Sequence, residues 1–389
     1  MPSEGLFDGI FSRGGAADAV TGRAWLQAML DVEGALARAC ARVELIPQSA
    51  AEAIAAACVA DRYDVGEIAR AAAASATPVI PLVAALRAAV GEAAAEHVHR
   101  GATSQDVIDS AAMLVAGRAL RPTLADLAAA AEASARLADA HRRTPILGRT
   151  LLQPAEPTTF GLKAAGWLVG IDEARAELED VCARTLAVQL GGAAGTLAAF
   201  DGRGAEIAAD VARQLELAEP VLPWHSIRTR PARLAGALGA VAGVLGKVAV
   251  DVTLLAQGEV GEVREGGDAA RGGSSAMPHK RNPVGAVSAR ACAERVPGLV
   301  ATLLGAMRHE HERAAGAWQA EWETLSELLR VVGAEAAWAG ELLEQLEVDA
   351  GRMRTNLEAS GVGLSSLASQ VDAAAALVDR ALAARAGRR

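Results

Sequence analysis

The sequence predicts an all-α protein, and three observations carry the prediction. Apolar residues fill 52% of the 389 positions but aromatics only 3%, so Ala, Leu, Val and Gly must build the core. Such small side chains favour long, closely packed helices. Leu234, Leu238, Val241, Leu245, Val248, Val252 and Leu255 recur at alternating spacings of four and three, a heptad seam. Finally, no convincing run of period two marks a strand.

Residues 1–20 read as an irregular lead-in with a turn at Ser12–Gly15. A helix starts behind the N-cap candidate Thr21, with Trp25, Met29, Val32 and Leu36 on one side. Shorter helices follow, broken at Pro47 and near Thr77-Pro78, and residues 1–95 form a small N-terminal helical domain. A polar turn from His97 to Asp106 precedes a long helix ending near His141, which Pro122 should kink or split. A loop spans Thr144 to Pro157, and a helix runs from about Thr158 to Gln189. Gly191–Gly195 is a stretch where backbones can approach closely. The heptad helix is apolar nearly all round, which places it inside a bundle and calls for partner subunits to cover it. Helices at about Val284–Arg313 and Trp318–Leu346 complete a central bundle over 96–348, with a loop at 259–283. A short C-terminal helical domain occupies 349–389.

A net charge of −9 argues against a nucleic-acid partner. Cys40, Cys58, Cys182 and Cys292 are widely spaced with no CxxC pair, so reduced thiols and a cytoplasmic location are expected. Met1–Asp8 lacks the features of a signal peptide. The most apolar run, Leu234–Val250, is interrupted by Lys247 and rich in Gly and Ala, so no membrane association is expected. His309-Glu310-His311 has the wrong spacing for a helix-borne zinc site, and no metal is expected.

The most telling stretch is Gly272-Gly273-Ser274-Ser275-Ala276-Met277-Pro278-His279-Lys280-Arg281-Asn282-Pro283. A flexible linker has no reason to hold Lys280 and Asn282 in fixed order between two prolines, and the spacing is not that of a nucleotide P-loop. A serine can take a proton only if nearby cations and amides stabilise its alkoxide, and Lys280 with the loop N–H groups can do so. Lys280 and Asn282 can also hold a substrate carboxylate whose charge grows as an α-proton leaves.

This stretch resembles the signature of the fumarase/aspartase superfamily, whose members add a nucleophile across, or eliminate one from, a double bond beside a carboxylate. The resemblance puts Ser274 in the catalytic base position and Lys280 and Asn282 in the substrate-binding positions, with Lys280 counted as catalytic as well. His99–Asp106 is similar to the superfamily's first shared region, which makes His99, Thr103, Ser104 and Gln105 substrate-side residues. Gly148–Gln153 is similar to the second, which adds Arg149, Thr150 and Gln153. The resemblance also implies a homotetramer whose active sites each draw the three regions from three chains, and a cofactor-independent reaction.

Two departures narrow the substrate. Leu151 stands where adenylosuccinate lyase, argininosuccinate lyase and fumarase have a histidine that protonates or orients a poor leaving group; Leu151 cannot. The leaving group must therefore depart without a proton, as a carboxylate does. Trp322 stands where adenylosuccinate lyase has a phosphate-gripping arginine, and an indole cannot replace that fork. Together with Arg149–Gln153, Leu222–His225 and Ala314–Trp322, this resembles the lactonising branch, the 3-carboxy-cis,cis-muconate cycloisomerases of protocatechuate breakdown. Their tricarboxylate needs several cations, which nominates Arg228, Arg230 and Arg313. The alternatives are a lyase releasing fumarate from a substituted succinate with an acidic leaving group, an adenylosuccinate or argininosuccinate lyase-like activity, and a helical scaffold without activity. Retention of Ser274, Lys280 and Asn282 argues against the last.

Overall fold

A computed structural model describes residues 5–267, 272–273, 277 and 280–387. It is all-α apart from two small strand pairs. Seven helices come first: α1 (Asp8–Phe11), α2 (Ala16–Ala19), α3 (Gly22–Arg42), α4 (Gln48–Ala57), α5 (Val65–Ala72), α6 (Val79–Ala89) and α7 (Glu92–Ala95). Thr21 caps α3 as expected, its hydroxyl accepting from the Ala24 amide at 3.1 Å.

The body is built from five long helices: α8 (Ser104–Ala140), α9 (Phe160–Thr185), then, past the shorter α10 (Gly204–Leu215), α11 (Thr229–Leu255), α12 (Val284–Gly305) and α13 (Ala317–Glu344). α8 packs on α9 and α13, while α11 packs on α9, α12 and α13. The chain ends in α14 (Ala350–Ala359) and α15 (Leu367–Ala386). One hydrophobic core runs through all of it, from Ala16 to Val378.

Several expectations need correction. The Thr144–Pro157 segment is not a loop but a hairpin of β1 (Pro145–Thr150) and β2 (Gln153–Thr159). Its period-two signal is masked by Pro154 and Pro157 and by a register shift at Gly148, where a Cβ would stand 2.4 Å from the Glu156 carbonyl oxygen. A second pair, β3 (Val263–Glu265) with β4 (Leu346–Val348), is too short to show in a sequence pattern.

Pro122 does not split α8: the helix is continuous and packs on α2, α9 and α13, which offsets a cost of about 3 kcal/mol. α12 stops at Gly305, so residues 306–316 are irregular rather than helical.

The heptad seam is covered from within the chain, since all seven of its residues are buried among neighbouring helices. The face of α11 left open carries Gly236, Ala240, Gly243, Lys247 and Leu254 instead. α11 is the one described helix long and apolar enough to cross a membrane, and half of its most apolar window is buried inside the chain.

Candidate active site

The residues nominated by sequence fall at two ends of the bundle. α8 is 37 residues long, hence about 55 Å from end to end. His99–Asp106 lies at its N-terminus, and the β1–β2 hairpin follows its C-terminus. α12 runs the other way: the Gly-rich stretch precedes its first residue, and Arg313 follows its last.

At the first end, Asp106 organises the backbone. Its Oδ2 accepts from the Thr103 amide at 3.0 Å, closing the first turn of α8. It also reaches across the bundle. The amides of Gly191 and Gly192 each donate to it at 2.9 Å, and His225 Nε2 sits 2.7 Å from Oδ1. A buried carboxylate needs this many donors. The glycines are required there: a Cβ on Gly191 would lie 2.7 Å from His225 Cε1, and one on Gly192 would lie 2.9 Å from the Gly101 carbonyl oxygen.

Arg313 arrives from the segment after α12. It donates through Nη1 to Thr103 Oγ1 at 2.9 Å and through Nη2 to the Ala193 carbonyl at 2.8 Å. Thr103, Ser104 and Arg313 are thus brought together, part-exposed, at the positive end of a long helix, where anions are favoured.

His99 stands just behind them with φ +62°, its Nδ1 2.6 Å from Glu33 Oε1. Burial lowers its proton affinity, but the Glu33 carboxylate more than compensates, so the imidazole titrates above the ordinary histidine value.

Gln105 and Arg228 point into the interior of the bundle. Gln105 is buried and donates to Asp109 at 3.1 Å and to the His225 carbonyl at 2.8 Å. Arg228 is 3% exposed. Its nitrogens fork onto Asp109 at 2.7 and 3.0 Å and onto Glu321, with Trp224 stacked at 4.8 Å. Every nitrogen is spent on these carboxylates, so a substrate carboxylate would have to displace one of them. Trp318 Nε1 completes Asp109 at 3.0 Å. Arg230 turns to the carbonyls of Arg184 and Thr185. His309 is buried, with Nδ1 3.2 Å from the His225 carbonyl oxygen, whereas His311 is exposed.

At the second end, Arg149 is bidentate to Glu262 at 2.8 and 2.9 Å. Asn356 Nδ2 adds a third donor to that buried carboxylate at 2.8 Å. This fork fixes the hairpin to the strand leading into the Gly-rich stretch. Thr150 and Gln153 are exposed beside the hairpin tip. The tip itself is Leu151-Leu152, with φ of +49° and +63° and exposures of 96% and 75%. A two-residue turn with both φ values positive ordinarily uses Asn-Gly, so two leucines here are strained as well as solvent-exposed.

Past β3, Glu265 caps α12, accepting from the amides of Gly285 and Ala286 at 2.9 and 2.8 Å. The Gly-rich stretch closes on itself at its neck. The Asn282 amide donates to the Gly272 carbonyl at 2.8 Å and Asn282 Nδ2 to the same oxygen at 3.2 Å; Gly273 bridges to Arg281. Gly272 takes φ +74°, and a Cβ there would lie 2.3 Å from the Asn282 carbonyl oxygen. Asn282 therefore shapes the neck with the side-chain amide expected on the substrate. Lys280 is exposed, its backbone N–H donating to the Met277 carbonyl at 3.0 Å. Ser274, the nominated base, lies outside the described residues.

Sequence reasoning missed His225, Asp106, Asp109 and Glu321 as a connected set. Asp106 is visible only as the third residue after a helix cap, and nothing local announces its partners 85 and 119 positions away.

The family model described as Lyase matches residues 13–298. The chain is 49% identical over 360 residues to 3-carboxy-cis,cis-muconate cycloisomerase of Pseudomonas aeruginosa, covering 92% of this chain and 78% of that protein. It is 50% identical over 354 residues to nitrosuccinate lyase of Streptomyces davaonensis, covering 88% and 74%. The solved structure of 3-carboxy-cis,cis-muconate lactonizing enzyme from Pseudomonas putida superposes with a TM-score of 0.88 at 43% identity, covering 99% of this chain and 88% of that one.

Proposed function

Because the chain belongs to the fumarase/aspartase superfamily of lyases, we propose that it interconverts 3-carboxy-cis,cis-muconate and a carboxymuconolactone. The observation that carries this reading is the hairpin tip. Leu151 projects from it with no group able to give or take a proton. Only a leaving group stable as an anion suits that tip, and an internal carboxylate is one.

In this reading one carboxylate of the substrate attacks the alkene from within the molecule. Charge builds on a neighbouring carboxylate as an aci-form, which Lys280 stabilises, and Ser274 delivers the proton. Thr103 and Arg313 hold a further carboxylate at the N-terminus of α8. The reaction needs neither metal nor organic cofactor.

One chain does not bring these groups together, because about 33 Å of α12 separates Lys280 from Arg313. The arrangement supports a homotetramer in which ends of different chains meet, with the Gly and Ala face of α11 as a contact. A cytoplasmic location fits the four free cysteines, three of them buried. The test of the substrate is direct. The ultraviolet absorbance of the diene should fall on adding enzyme while lactone signals appear by NMR; an unchanged spectrum would sink the assignment.

A second reading is favoured by one observation, the 50% identity to nitrosuccinate lyase. A nitro substituent would leave as nitrite, which like a carboxylate needs no proton, so Leu151 suits it equally. Fumarate released from nitrosuccinate, with no loss of the muconate diene, would decide for this reading.

A further inference from the structure

Arg313 is seated by two separate pieces of chain. Its Nη1 donates to Thr103 Oγ1, the N-cap of α8, at 2.9 Å. Its Nη2 donates to the carbonyls of Ala193 at 2.8 Å and Gly192 at 3.4 Å, in the small-residue stretch after α9. One carboxylate ties the two pieces together. Asp106 Oδ2 takes the amides of Thr103 and Gly192, and Oδ1 takes the amide of Gly191. The fourth donor is a side chain, His225, whose Nε2 lies 2.7 Å from Oδ1. Only an N–H at that nitrogen attracts a carboxylate.

His225 is itself held still. Its carbonyl accepts from Gln105 Nε2 at 2.8 Å, and His309 Nδ1 lies 3.2 Å from the same oxygen. The preceding residue, Trp224, is fastened twice at 2.9 Å, its amide to Gln189 Oε1 and its indole N–H to the Val188 carbonyl. Gly191 lets the ring sit close, since a Cβ there would stand 2.7 Å from Cε1. The imidazole is 5% exposed, and its link to the socket is Asp106. Without that N–H, a buried carboxylate is one donor short. It recovers a donor only by shifting the backbone groups around it, and those are the groups that seat Arg313.

We propose that His225 is a positioning residue: by holding Asp106 it makes Thr103 and the Gly192–Ala193 carbonyls present Arg313 to a substrate carboxylate. This rests on the reading in which Thr103 and Arg313 grip that carboxylate. The effect falls on anion binding rather than on proton transfer, because Lys280 precedes α12 at the other end of the bundle.

The experiment is a double-mutant cycle on the assembled enzyme, read by calorimetric titration with propane-1,2,3-tricarboxylate. His225→Asn, too short to reach Asp106, should weaken binding about tenfold. His225→Gln, whose amide reaches further, should restore most of it. Arg313→Ala should weaken binding at least as much as His225→Asn, and adding His225→Asn to it should change nothing more, because His225 works through Arg313. A merely structural role predicts losses that add and that Gln does not rescue; that result overturns the proposal, as does full affinity in His225→Asn or no binding to the wild type. A failed cycle with diene turnover intact strikes at His225 alone. An intact cycle without diene turnover strikes at the substrate assignment alone.

Discussion

The two ends of the bundle solve opposite problems. At the first, the central charges are buried and paired: Asp106 takes four donors, and Arg228 is divided between Asp109 and Glu321. At the second, the outermost groups, Lys280, Leu151 and Leu152, are exposed, and only the supports beneath them are satisfied. The difference separates a socket from a probe. A socket must keep its shape while empty, so polar networks and glycine contacts fix its geometry. A probe can carry unsatisfied or strained groups because what it meets supplies their partners.

If that contrast is right, the socket should fail by unfolding and the probe by losing turnover. The largest effect is expected at Arg228. Arg228→Ala leaves Asp109 and Glu321 facing each other in a buried site, and should cost about 3–5 kcal/mol, read as a lowered denaturation midpoint. Retained stability would show that the network is decorative. Lys280→Ala should do the reverse, lowering kcat about 100- to 1000-fold while the melting temperature stays put, because the side chain is exposed. Mixing that variant with Arg313→Ala chains, unfolding and refolding them together, should restore part of the lost activity. Restoration fails if each chain carries a whole site.

A smaller effect probes the tip. Replacing Leu151-Leu152 by Asn-Gly suits the positive φ values and should raise stability by about 1–2 kcal/mol. Turnover should fall at the same time if the leucines meet a neighbouring site, and unchanged kinetics would remove them from it.

The smallest expected effect is the pH dependence of His99. Its proton is held more tightly in the folded chain than in the unfolded one. The resulting stability is fully present below the ordinary histidine value and fades as pH rises through the higher, folded value. The gap in melting temperature between wild type and His99→Gln should therefore be wider near about pH 6 than near about pH 9. A gap that widens with pH would contradict the Glu33 pairing.

Much of this was legible from residues alone, for identifiable reasons. Helices announce themselves by period and caps, and Thr21 and the heptad of α11 did so locally. The Gly-rich stretch could be read because its chemistry is contiguous. What stayed hidden depends on distant partners. Arg228 looks like any surface arginine until Asp109 and Glu321, 119 and 93 positions away, are seen to enclose it. The heptad pointed to association, yet the chain covers the seam with its own α9, α12 and α13. Asn282, nominated for the substrate, is drawn to Gly272 because a closed neck needs a donor there.

That neck has a consequence for how the segment is anchored. Its fastenings, Asn282 on Gly272 and Gly273 across from Arg281, are made within the segment itself, while Glu265 caps α12 from outside it. The neck can therefore be loosened without unseating the helix: losing the Asn282 side-chain amide would open the base of the segment while Glu265 still holds the first turn of α12.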